Sequence, residues 1–118
     1  MAKFKFVEWL LSWMFESTDF TFEWDSGNKT KSKNKHGIET REIEEIFSTG
    51  LAIPLGVQVS PEVDEERLGA VGPTKEGKLL HVVFTLRDGR IRPISGRPAH
   101  KKERSQYGEI LRKISERI

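Results

Sequence analysis

The segment from Leu79 to Gly96 dictates a β-hairpin. Leu80, Val82, Phe84 and Leu86 occur at alternate positions, which gives the strand Leu79–Leu86 one fully apolar face. Arg87-Asp88-Gly89-Arg90 follows, and Asp-Gly is the pair that a type I′ turn favours. Arg90–Gly96 is then the return strand, with Arg90 and Arg92 on one face and Ile91 and Pro93 on the other. Pro93 has no N–H to give to a ladder, so this strand reads as an edge or as bulged. A two-stranded hairpin is marginal alone and needs further strands or a helical layer on its apolar face.

The rest of the chain supplies both. Leu51–Val59 and Glu66–Val71 read as further strands, the first made irregular by Pro54 and Gly56, with an acidic loop at Pro61–Glu66 and a turn around Gly77. Phe20-Thr21-Phe22-Glu23-Trp24 alternates and reads as a strand. A lysine-rich helix ending at Gly37 follows, then a helix capped by Thr40 that buries Ile43, Ile46 and Phe47. A last helix starts near Pro98 and places Tyr107, Ile110, Leu111 and Ile114 on one stripe. Residues 1–19 read as an N-terminal extension, a short amphipathic helix with Phe6, Trp9, Leu10 and Trp13 at helical spacing. The expected fold is α+β: a mainly antiparallel sheet, two helices in the N-terminal half and one at the C-terminus. At 118 residues it is one domain with a single main core.

Charge is unevenly distributed. The net charge is only +2, yet residues 27–36 (GNKTKSKNKH) hold four lysines and no acid. Residues 87–104 hold seven Lys/Arg against Asp88 and Glu103. Two concentrated basic segments point to a polyanion partner, with a solvated surface as the plain alternative. The absence of cysteine excludes disulfides, thiolate zinc sites and thiol catalysis. His36, His81 and His100 lack the spacing of a metal site, and no GxSxG or complete phosphate loop occurs.

What remains is cationic chemistry. Guanidinium groups on a sheet face, opposite a Lys-His pair, suit a phosphodiester backbone and the charge of a pentacovalent transition state. Histidine moves protons near neutral pH. That combination is sufficient for RNA cleavage without a metal.

The order of these segments resembles the BrnT family of type II toxins. The resemblance runs over about residues 20–108. It is carried by Phe22-Glu23-Trp24-Asp25, by Asn34-Lys35-His36-Gly37-Ile38, by a helix ending in Phe47, by Glu66-Arg67 and by Gly72 before a hydrophobic strand. It closes on Arg90-Ile91-Arg92-Pro93-Ile94-Ser95-Gly96-Arg97-Pro98-Ala99, then Glu103-Arg104 and Tyr107. Two positions depart from the family pattern: Pro93 stands for an aliphatic residue, and Gly96 for an alanine, which would loosen the segment before Arg97.

The resemblance implies a compact RelE-like toxin domain over residues 20–118 and a cytoplasmic, metal-independent endoribonuclease without a cofactor. It also implies a BrnA-like DNA-binding antitoxin as partner, so that DNA is reached only through the antitoxin complex. Carried over by position, Lys35, His36, Arg67, Arg92 and Arg97 are the catalytic candidates. Lys29, Lys31, Lys33 and Arg90 are the candidates for RNA backbone contacts. The alternative is a catalytically decayed RNA- or protein-binding module of the same fold. Trp9, Trp13 and Phe15 are candidate anchors for a protein partner.

Overall fold

The computed structural model describes residues 2–17 and 19–116, with side chains described to residue 113. Ile114 of the expected C-terminal stripe therefore lies outside the described side chains. Five strands form one antiparallel sheet in the order of the chain: β1 (Lys3–Lys5), β2 (Ile53–Ser60), β3 (Leu68–Pro73), β4 (Leu79–Arg87) and β5 (Arg90–Pro98). Helices α1 (Glu8–Glu16), α2 (Lys31–His36) and α3 (Thr40–Ser48) lie between β1 and β2, and α4 (Lys101–Glu116) follows β5.

The β4–β5 hairpin turns on Asp88 (φ 53°) and Gly89 (φ 76°), both positive as a type I′ turn demands. The apolar face of β4 packs beneath α1 and α3. Leu80, Val82 and Phe84 are fully buried there with Leu10, Ile43, Ile46 and Phe47, and Phe47 meets Phe84 edge-on at 5.2 Å. The other face carries a smaller cluster of Ile53, Val71, Ala99 and Tyr107 under α4.

The N-terminal segment is woven into this core. Leu10 is fully buried and Met14 nearly so, whereas Trp9 is about half exposed (46%). Phe6 lies before α1 rather than on its stripe. β1 pairs along β2 because Gly56 (φ 125°) leaves room: a side chain there would run into the Lys5 backbone.

Several local expectations are corrected. Phe20–Trp24 forms no strand of the sheet; it makes a single parallel bridge, Phe22 opposite Ile91. Ile91 N–H donates to Thr21 O and Glu23 N–H to Ile91 O, each at 2.8 Å. The next rung would need an N–H from Pro93, which has none. The Asn28 side chain fills the gap. Its amide donates to Glu23 O (3.0 Å) and Pro93 O (2.9 Å), and its Oδ1 accepts Asp25 N–H (2.8 Å). α3 is capped by Glu39 rather than Thr40, through a capping box with Glu42. Pro98 ends β5 instead of opening α4, whose first turn is closed by His100 N–H donating to Glu103 Oε1 (2.7 Å).

Gly96 does not loosen the strand. An added Cβ would stand 2.8 Å from both Cγ1 and Cδ1 of buried Ile43, so the glycine is where α3 seats on the sheet. Gly96→Ala is expected to cost about 1–3 kcal/mol by overpacking, read as a lower urea midpoint at unchanged m-value.

Candidate active site

β5 is the edge strand of the sheet and it is bulged. Phe84 faces Pro93 while Val83 faces Ser95, so Ile94 is an extra residue. This inserted residue sets which side each arginine takes. Arg92 and Arg97 are an odd number apart, and strict alternation would put them on opposite faces. With the bulge, Arg90, Arg92 and Arg97 lie opposite Arg87, Thr85 and His81, all on the face away from Ile43 and Phe84.

α2 is pinned across β5. Ser32 Oγ accepts the Gly96 N–H at 2.7 Å, and Ile38, just beyond the helix, is buried in the core. Gly37 (φ 71°) ends α2 in the left-handed conformation, with its N–H on Lys33 O (2.9 Å). Between α2 and β5 opens a cleft of about 310 Å³. Lys31, Lys35, His36, Arg67 and Arg97 line it, with Ser95 and Ile94 on the strand side. Four of the five catalytic candidates thus meet at one place. Among the described residues, the side chains of Lys35, His36 and Arg67 have no ion-pair partner, which leaves their hydrogen-bonding capacity available at the cleft they line.

Arg92 stands apart from this cleft. Its guanidinium is held by both oxygens of Asp25 (2.8 and 3.2 Å) and by Glu23 (3.2 Å). That bond is the main cause of a lowered Asp25 pKa and a raised Arg92 pKa, with the Gly27 N–H adding to the Asp25 effect. Of the expected RNA contacts, Lys31 lines the cleft, Lys33 pairs with Glu39 (3.3 Å), and Arg90 donates to Phe22 O (3.0 Å). Lys29 sits in the turn before α2.

Arg97 is oriented rather than free. Its two terminal nitrogens bond both Glu103 oxygens at 2.8 Å. Burial pushes the Glu103 carboxyl up, but the Arg97 bonds and the His100 N–H outweigh it and hold it at about 2. Behind them lies His81, 5% exposed, whose Nε2 is 3.7 Å from Glu103. Burial, then the Arg97 charge, pushes its pKa down to about 4, so it is neutral at pH 7. Glu103, His81 and Asn28 are site-shaping residues that the sequence reading did not assign. Glu103 was readable as a carboxylate in the first turn of the helix after Arg97. His81 was readable only through the strand register, and Asn28 through nothing local.

A cation-lined cleft on a bulged edge strand, roofed by a short basic helix, marks this as an α+β domain with a cationic site at its sheet edge. Residues 24–103 match the family of the ribonuclease toxin BrnT of type II toxin–antitoxin systems, and the chain belongs to that family. The solved structure of the Brucella abortus ribonuclease toxin BrnT is similar in fold. It is 22% identical with a TM-score of 0.50, over 70% of this chain and 100% of that one. No curated protein sequence matches the chain. Membership of a type II toxin family brings an antitoxin partner with it. No helix among the described residues is long and apolar enough to cross a membrane.

Proposed function

We propose that the chain is a cytoplasmic endoribonuclease that cleaves RNA at the α2–β5 cleft without a metal. The observation that carries this is the convergence of Lys35, His36, Arg67 and Arg97 on one cleft. The 2′-hydroxyl of RNA attacks its own 3′-phosphate; a proton leaves the attacking oxygen, another reaches the departing 5′-oxygen, and negative charge grows on the phosphorane. His36, the cleft's imidazole, is assigned the proton transfers. Arg67 and Arg97 are assigned the equatorial oxygens, where preorganised donors act most strongly. Lys35 and Lys31 hold the backbone on either side.

Incubation of the protein with single-stranded RNA, with and without EDTA, tests the reading. Cleavage that survives chelator supports it. Cleavage abolished by chelator and restored by a divalent metal overturns its metal-free part. Tight binding without cleavage would instead make this a binding module. Lys31, Lys35, Arg67 and Arg97 together predict a log–log salt slope near about −3 for RNA binding, at roughly −0.7 per neutralised phosphate; a flat salt titration would contradict it.

The partner is assigned as a BrnA-like DNA-binding antitoxin, which covers the same cleft and through which alone DNA is contacted. Phe6, Trp9 and Phe15, about half exposed along the N-terminal segment, offer it apolar anchors.

A further inference from the structure

Arg97 lines two clefts. The first is the α2–β5 cleft. The second, about 480 Å³, opens where β1 and α4 meet β4 and β5. Its rim carries Lys3, Lys102 and Arg97, and its floor is Phe4, Leu55 and His81. Glu103 also lines it, but that carboxylate is already spanned by Arg97.

We propose that this second cleft is an RNA subsite, holding the nucleotide next to the one that is cleaved, so that Arg97 sits between two successive positions of the strand. The inference rests on the reading of the α2–β5 cleft as the cleavage site. Its volume suits a nucleotide, within the range of small-ligand pockets. Its chemistry divides as a nucleotide's does, with cations at the mouth for phosphate and an aromatic floor for a base. Phe4 is held in place for that role. Its ring lies directly on Gly69, where a Cβ would come within 2.7 Å of it, and is tilted against the His81 ring at 5.7 Å. His81 is neutral, so a base meets an uncharged imidazole there. Gln106 adds a side-chain amide able both to donate and to accept at a base edge. Lys3 and Phe4 lie outside the residues that match the family, so this subsite is an addition made by the N-terminal strand.

The test is binding, read apart from cleavage. The probe is a fluorescently labelled single-stranded RNA hexamer bearing 2′-O-methyl groups, which lacks the attacking hydroxyl; a labelled mononucleotide carrying its 3′-phosphate, which reaches only the cleavage position, is its short counterpart. Lys3→Glu/Lys102→Glu changes only exposed side chains. It is expected to weaken hexamer binding about tenfold and to lower the salt slope by about 1.4, the loss of two phosphate contacts, while mononucleotide binding is unchanged. Phe4→Leu keeps an apolar cover on Gly69 but removes the π-face, and is expected to weaken the hexamer alone. Hexamer binding at wild-type affinity in both variants overturns the subsite. Loss of binding to a poly-glutamate peptide with unchanged hexamer affinity also overturns it and assigns the cleft to an acidic protein partner. Arg67→Ala is the control for the underlying reading. If it leaves both probes unaffected while the lysine variant does not, the α2–β5 assignment fails and the second cleft stands as an RNA site.

Discussion

Arg67→Ala is expected to lower kcat for RNA cleavage by about 10²–10³, the loss of one preorganised donor to the transition state, with the thermal midpoint unchanged. Arg67 is the clean probe of the cleft. It stands just ahead of β3, lines the cleft, and its guanidinium has no ion-pair partner among the described residues. Arg67→Lys is expected to recover only part of the rate, because a point charge does not reproduce a planar fork. Arg97→Ala is expected to lower the rate as well, but also the stability, since it strands the partly buried Glu103 carboxylate beside His81. Wild-type cleavage by Arg67→Ala at equal soluble expression would remove the α2–β5 cleft as the reacting site. Comparing the two variants separates an arginine that only acts from one that also holds the fold.

The second large effect is on stability in acid. His81 has a folded-state pKa of about 4, against an ordinary value of 6.5, because it is buried beside Arg97. Between those values the unfolded chain binds a proton that the folded chain refuses. The contribution is therefore fully present above pH 6.5 and falls as the pH drops towards 4, by up to about 3 kcal/mol. Glu103 has the lowered carboxylate pattern, so its contribution is present above about pH 4.5 and is lost as the pH approaches 2. The two losses follow one another on the pH axis. Urea unfolding at half-unit steps from pH 7 to pH 4.5 reads the first of them. His81→Gln is expected to flatten that part of the profile, and a wild-type profile equally flat over this range would refute the assignment.

The fold was legible where local rules and packing agree. The β4–β5 hairpin follows from strict alternation and an Asp-Gly turn, and Pro93 correctly signalled a strand that is both at an edge and bulged. The cleft was partly legible, because Lys35 and His36 stand at the end of a helix that Gly37 terminates. What stayed hidden depends on contacts between distant segments. Phe20–Trp24 has the alternation of a strand, yet it stops at one bridge because its partner position is a proline and Asn28 occupies the gap. Gly96 reads as slack until Ile43 is seen lying on it. Nothing local to Arg92 announces the Asp25 and Glu23 carboxylates that hold its guanidinium, because they come from a segment far away in the chain. The burial of Leu10 depends on the sheet that it covers.

The bulge in β5 absorbs one residue of the count without changing what the strand presents. Loss of the single codon for Ile94 would leave every cation in the gene. It would also leave Arg97 on its present side: Arg92 and Arg97 would stand four residues apart, which strict alternation puts on one face, with Ser95 still opposite Val83 and Arg97 opposite His81. Replacement of Ile94 by another side chain alters only a wall of the cleft. Functional lineages descending from this chain should therefore show drift both in the identity of that residue and in its presence, because the strand keeps its phase with or without it.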